Sequence, residues 1–405
     1  MSQPTPPVYE VPKTRIGRLR ERIIHAPQEV CIERARYLTE AMSRHWDRPP
    51  LTRMSLALEH ILANISVVIR DDELIVGSRT SKLKGAPLFP ENKSRWIAGD
   101  LDNFDRRVLQ RALITEAEKR ELETAILPFW EGRTVEDLFE ARLPEDIAAD
   151  MDKYIFTMML EITYGIGHFT MNHRRILREG LAGTIADARA RCEALAPAER
   201  AGEKGLFYDA VIRSLRAAVA FANRYAALAR ALAVEAASPA RRAELLDIAD
   251  ICERVPEHPA RTFAEAVQCV YFIHLISQIE SGGNSISLGR IDQILYPYYA
   301  ADLADGRVTP EAARERLAFL FIKTNEIWNV LEEAFIPGGE GTEGKTTQNV
   351  TVGGMDARGE DATNALSEIG LDAFADIRTV QPNFGIRLCG KTPLAFFQKA
   401  VRYAK

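Results

Sequence analysis

The chain has no Cys-x-x-Cys pair, no run of 18 apolar residues, no excess of basic charge and no repeat at a fixed period. Each absence excludes something. Five scattered cysteines (Cys31, Cys192, Cys252, Cys269, Cys389) give no zinc ribbon and no thioredoxin motif. A sparse, odd set fits a reducing cytosol better than an oxidising compartment. Without a long apolar run no spanning helix is expected. A net charge of -5 argues against a broad nucleic-acid surface. No H-E-x-x-H or D-x-D-x-D-G pattern marks a metal site, and the acids Asp71, Asp72 and Glu73 read as a solvated turn.

What is present describes a globular protein: 46% hydrophobic and 27% charged residues in 405. No linker splits it. Residues 1–12, polar and proline-rich, read as a mobile arm rather than an export signal. Residues 13–70 read as helices, and Val67–Gly77 as a hairpin turning at Asp71-Asp72. Residues 80–105 look irregular. The pattern from Thr115 to Arg230 is mostly helical, with Thr115–Leu127 and Leu143–Leu160 split by Pro128 and Pro144, and with Asn172–Glu179 and Thr184–Leu195 as separate helices. Further helices are expected over Ala240–Arg254, Thr262–Ser277, Asp292–Leu303, Ala318–Glu333 and Asp361–Phe374. Strands are expected at Ser285–Leu288, Asn349–Val352 and Asn383–Leu388. This late alternation suggests parallel strands with helical crossovers. Trp130 and Trp328 read as core.

Residues 338–354, GGEGTEGKTTQNVTVGG, contain a P-loop pattern in Gly339, Gly344, Lys345 and Thr346. A nucleotide site needs a strand before that pattern and a helix after it, so that backbone N–H groups converge on phosphate. Here the expected order is helix before and strand after. A P-loop NTPase through Gly339–Thr346 is therefore disfavoured against a plain helix-to-strand loop. A non-catalytic helical scaffold is the remaining alternative of another class.

Gln348-Asn-Val-Thr-Val-Gly-Gly354, Asp361-Ala-Thr-Asn-Ala-Leu-Ser367 and Gln381-Pro-Asn-Phe-Gly-Ile-Arg387 resemble the pyruvate formate-lyase-like domain of glycyl radical enzymes. Asp72–Arg79, Phe129–Thr134, Gly167-His168 with Asn172, Lys204–Tyr208 and Glu280–Arg290 agree in the same order. The resemblance runs from about residue 12 to the end. It implies an α/β fold: a large helical N-terminal region and the N-terminal half of a ten-stranded α/β barrel, occupying residues 13–405.

The resemblance also implies a chemistry. In this family a glycyl radical, installed by a separate radical-SAM activase, passes to a cysteine, whose thiyl radical takes hydrogen from a small-molecule substrate. The barrel binds no metal or cofactor directly, and the whole enzyme is expected to be a homodimer. Neither the R-V-x-G-[FWY] glycine motif nor the G-C-x-E cysteine motif occurs here, and Cys389 lacks a Glu two residues on. The chain therefore reads as the N-terminal part of a longer enzyme, inactive alone. A dehydratase-type eliminase is the leading subgroup; formate acetyltransferase, decarboxylase and C–S lyase types are alternatives. His168 and Asn172, at i and i+4, would share a helix face and line the substrate pocket. Asn284 and Ser285 are the other pair carried over, with Asn where diol-eliminating members commonly have His. Asn can donate and accept hydrogen bonds but cannot titrate. Without the resemblance, His168 reads as a half-buried histidine bonded to backbone, and Ser285 and Ser287 as strand-end hydroxyls. His173 reads as solvent-facing, and Arg290 as the partner of Asp292 or Glu280 in a salt bridge.

Overall fold

The computed structural model describes residues 14–153, 155, 165–332 and 346–403. Its centre is the Phe263–Glu280 helix. All of its residues but Ala264 and Glu280 are buried, as expected for a helix apolar on every side. Thr262 caps it, accepting from the Glu265 N–H at 3.2 Å. Against it pack His173–Glu193, Pro239–Arg254, Ile291–Ala304, Pro310–Thr324 and the long Glu203–Glu235 helix, which also pairs with Pro239–Arg254 and Pro50–Asn64. Trp130 and Trp328 are buried, as expected.

Five strands lie among the described residues. Glu29–Cys31 (β1) pairs in parallel with Gly85–Pro87 (β2), a pair the sequence pattern did not reveal. Gly289–Arg290 (β3), Asn349–Gly353 (β4) and Asn383–Arg387 (β5) form a second parallel sheet in the order β3-β4-β5. The helices Ile291–Ala304 and Pro310–Thr324 connect β3 to β4, and Ala365–Ile377 connects β4 to β5. The expected helix–strand alternation is therefore present. A bridge between Thr170 and Ser287 adds a fourth parallel segment beside the sheet.

Several expectations are corrected. Val67–Gly77 is no hairpin; only its turn forms, with the Glu73 N–H on Arg70 O at 3.3 Å. Its backbone is taken up by helix side chains instead. Gln268 bonds both the N–H (2.9 Å) and the C=O (2.8 Å) of Val76, and the Tyr225 hydroxyl accepts from the Ser78 N–H at 2.8 Å. The helix through Ala318 stops at Thr324. Pro128 does not end a helix but enters the first turn of Leu127–Trp130, after a π turn at Leu122–Ile126. Across 172–195 the two expected helices are present: the run His173–Glu193 breaks at Gly180, whose φ of 67° and ψ of 172° are not helical. A Cβ at Gly180 would lie 2.2 Å from Glu257 O, so the kink is where another backbone passes. Glu73 is not solvated. It accepts from the buried Lys323 Nζ at 3.0 Å, which also reaches Glu326 at 2.7 Å. Arg290 makes no salt bridge to Asp292 or Glu280; it donates to Met355 O (2.9 Å) and Gly353 O (2.5 Å).

His173 is buried, against expectation. It opens a helix whose apolar face covers the core, so the chain entering at Asn172 leaves it inside. Burial, and then the neighbouring His274, push its pKa down to about 3. His274 is pushed down to about 4, chiefly by burial. Both rings are neutral in the folded protein at pH 7. Between these values and the ordinary histidine range near 6.5, the unfolded chain takes up protons that the folded chain does not. Their contribution is complete above about pH 6.5 and is lost as pH falls. His173→Leu should remove one such term. Between pH 7.5 and 5, urea unfolding should show the variant gaining on the parent by about 1–2 kcal/mol; parallel pH profiles would refute a neutral buried His173.

Candidate functional site

The stretch 165–170 lies beside residues 284–287, which lie in turn beside 346–349. The His168 N–H donates to Asn284 O at 2.9 Å and the Ser287 N–H to Phe169 O at 2.9 Å. The Ser285 N–H donates to Thr346 O and the Leu288 N–H to Asn349 O, both at 2.8 Å. These bonds gather His168, Asn284, Ser285 and Thr347 at the N-terminal ends of neighbouring parallel segments. Gly167 permits the close approach: a Cβ there would lie 2.2 Å from Asn284 O. Ser281 Oγ bonds Ile166 O at 2.5 Å from the end of the central helix.

Three non-glycine residues in this cluster hold left-handed backbone: His168 (φ 58°), Ser285 (φ 57°) and Thr347 (φ 52°). Such a conformation costs on the order of 1 kcal/mol or more per residue and concentrates at functional sites. Thr347 was missed in the sequence. A β-branched residue is a poor candidate for φ > 0, so no local signal could have marked it.

His168 and Asn172 do not share a helix face. His168 sits in the loop. Asn172 is the N-cap of His173–Glu193, its side-chain oxygen accepting from the Arg175 N–H at 3.2 Å. Both are exposed, whereas Asn284 and Ser285 are half-buried. Ser285 Oγ reaches Asn284 Oδ1 at 3.5 Å, and Asn349 Nδ2 donates to Ser287 Oγ at 3.3 Å. The fold thus unites the His168 and Asn284-Ser285 segments and leaves Asn172 positioned by capping. A cavity of about 550 Å³ lies against Gly165, Ile166 and Phe169, walled by Trp46, Trp130 and Glu280; none of the four expected residues lines it. Burial pushes the Glu280 carboxyl up, partly offset by the Arg34 guanidinium.

Other chemistry is thin. Among the described residues no group of three or more His, Cys, Asp or Glu could hold a metal, and no helix is long and apolar enough to cross a membrane. Gly339, Gly344 and Lys345 lie outside the described residues. Thr346 leads into β4 and not into a helix, which removes the helix N-terminus a P-loop requires. Cys389 Sγ lies 3.5 Å from Thr392 Oγ1 and 3.9 Å from Asp361 Oδ1.

The pyruvate formate lyase-like family matches residues 7–405. The chain is 33% identical over 395 residues to (2S)-3-sulfopropanediol dehydratase of Klebsiella oxytoca, covering 96% of this chain and 48% of that protein. It is 30% identical to trans-4-hydroxy-L-proline dehydratase of Clostridioides difficile, covering 96% and 50%. The glycerol-bound B12-independent glycerol dehydratase of Clostridium butyricum superposes with a TM-score of 0.92 at 34% identity, covering 98% and 50%. The chain spans about half the length of the curated relatives it matches. With a family match over nearly its whole length and relatives of this identity, the chain belongs to the pyruvate formate lyase-like family of glycyl radical enzymes.

Proposed function

We propose that this chain is the N-terminal part of a glycyl radical lyase of the dehydratase type, acting on a small polar substrate, and that His168, Asn284 and Ser285 contact that substrate. The carrying observation is the His168 N–H bond to Asn284 O. It brings two segments more than a hundred residues apart to one end of a sheet. The names of the relatives supply the reaction type.

The glycyl radical supplies hydrogen abstraction through a cysteine. The residues present do not fit that role. Cys389 lacks the G-C-x-E context and faces the Asp361 carboxylate, and no R-V-x-G-[FWY] motif occurs. No radical step is assigned to this chain. Its own residues bind and orient. The Asn284 carboxamide and Ser285 hydroxyl would take substrate hydroxyl groups, with His168 at the exposed rim. Asn284 cannot titrate, so it holds and does not relay a proton. Asn172 sets the loop that carries His168. The parallel strands would continue, in the longer protein, into the second half of a ten-stranded barrel. The cysteine and glycine loops of that part would complete the site. A radical-SAM activase is the implied partner, with a homodimer in the cytosol as the working form. A C–S or carboxylate-cleaving lyase is a second reading, because several relatives are isethionate sulfite-lyases and another is an indoleacetate decarboxylase.

Two outcomes follow. In the longer enzyme, His168→Ala and Ser285→Ala should each lower kcat/KM about tenfold or more, as the loss of a polar contact to substrate does. Unchanged values would return both to structural roles, and turnover by the 405-residue chain alone would sink the reading. Gly167→Ala should cost about 1–3 kcal/mol in urea unfolding through collision with Asn284 O. Gly99→Ala, where a Cβ meets nothing within 4 Å, should stay within about 0.5 kcal/mol. Equal costs would show that the approach of the two segments is not tight.

A further inference from the structure

The cavity of about 550 Å³ beside Gly165 takes no part in the site proposed above. Its walls are largely apolar and aromatic. Trp46 and Trp130 line it at 83° to each other, with ring centroids 6.3 Å apart, and Phe169 joins them. Leu138 and Ile166 line it too and are exposed. The size falls within the range of small-molecule sites, whose usual form is an apolar wall with a few polar groups.

Four charged side chains line this cavity among the described residues: Arg53, Glu91, Arg133 and Glu280. Three are committed. Arg53 donates to Trp46 O at 3.2 Å, and its guanidinium lies 4.2 Å from the Trp46 ring centroid. Arg133 donates to Phe129 O and lies 5.0 Å from the Phe129 ring centroid. Glu91 pairs with Arg34 at 2.6 Å. Glu280 is the exception. Its carboxylate makes no hydrogen bond or ion pair among the described residues. Arg34, the cation that acts on it, cannot serve it. A guanidinium has five N–H groups, and those of Arg34 go to the carbonyls of Leu88, Ile279 and Glu280 and twice to the Glu91 carboxylate.

The position of Glu280 sharpens the demand for a partner. It is the last residue of the central helix, which has no basic residue in its last turn. A carboxylate there stands at the negative end of the helix dipole. Glu280 is accessible, yet the surrounding protein pushes its carboxyl up. A carboxylate that opens into a cavity and not into bulk water has both properties.

We propose that this cavity binds a small organic ammonium ion, with the charge on the Glu280 carboxylate and an apolar body against Trp46, Trp130 and Phe169. Aromatic faces attract a cation and repel an anion. A neutral ligand would cover the walls and leave Glu280 unpaired; an anion would meet it as a like charge. None of His168, Asn172, Asn284 and Ser285 lines the cavity, so the site does not depend on the radical reading.

The test uses the 405-residue chain at neutral pH and three probes: benzylamine, phenyltrimethylammonium and the neutral benzyl alcohol. Isothermal titration should show one or both cations binding about tenfold or more tightly than benzyl alcohol. Trp46 and Trp130 line the cavity, so tryptophan fluorescence should follow the same titration. Glu280→Gln keeps the shape and removes the charge. It should lower the affinity for the cation to that for benzyl alcohol, with benzyl alcohol binding and far-UV circular dichroism unchanged. If Glu280→Gln disturbs the fold, Leu138→Lys decides. That position is exposed at the cavity, and a cation there should weaken binding of the ammonium probe and spare benzyl alcohol. Binding of phenyltrimethylammonium alone would support the site and assign it to quaternary ammonium ligands; binding of benzylamine alone would support it and assign it to primary amines. Equal affinity for the cations and benzyl alcohol, no binding of any probe, or cation binding indifferent to Glu280→Gln would overturn the proposal.

Discussion

Gln348 ties the sheet to the helices that carry it. Its Nε2 donates to Thr324 O at 2.8 Å, at the end of one helix, and its Oε1 faces His274 Nε2 at 2.8 Å, on the central helix. Because the amide nitrogen is committed to a carbonyl, its oxygen must accept, so the proton of His274 sits on Nε2. The backbone N–H of Gln348 donates to Gln381 Oε1, and Gln381 is held in turn by Asn325. The starts of β4 and β5 are thereby anchored by side chains as well as by ladder bonds. All four members are buried or nearly so. Removing one would strand a donor or acceptor in the interior, which is why such a network specifies one arrangement.

The other end of β4 has its own clasp. Asp292 Oδ2 accepts from the Gly353 N–H at 2.7 Å and from Ser367 Oγ at 2.6 Å. A five-residue parallel strand has few ladder bonds to define its register, and a slip of one residue would turn Val350 and Val352 out of the core. Side-chain anchors at both ends prevent this. Lys323, Glu73 and Glu326 do similar work with charge. A buried cation between two carboxylates adds little net stability, but removing one partner leaves an unpaired charge inside. The arrangement locks the Asp72–Glu73 turn to the end of the Pro310–Thr324 helix. Burial pushes the Glu326 carboxyl up even with Lys323 beside it.

The sequence was legible where local pattern and tertiary environment agree. The helices over Pro239–Arg254 and Phe263–Glu280, and the strands at 349 and 383, begin or end within a few residues of their caps and glycines. It misled where side chains replaced the expected backbone partners. The β-rich residues 67–77 form no hairpin because Gln268 and Tyr225 take their hydrogen bonds. The P-loop pattern failed on context alone. Of the candidate site, the meeting of residues 167–170 with 284–287 followed from the resemblance and not from spacing. A shared i, i+4 face for His168 and Asn172 needs a helix through both, and the helix begins only at His173. The buried state of His173 was hidden for the same reason: a helix start was placed correctly to within one residue, and one residue changes which side chain faces the core.

The left-handed residues connect this framework to the proposed site. His168, Ser285 and Thr347 would each relax to ordinary backbone if their neighbours allowed it. Each is prevented by a bond from the next segment: His168 by Asn284 O, Ser285 by Thr346 O, and Thr347 by the Gln348 anchor directly after it. The strain is therefore carried by the carboxamide network and the central helix, not by the loops themselves. A site built this way gives up stability locally to present polar groups at defined positions, which lowers the ordering cost when a substrate binds. It also makes the cluster sensitive to substitutions that never touch a ligand. A change at Gln348 would act on Ser285 through two residues of backbone, so the residues that orient the site and the residues that contact substrate need not be the same.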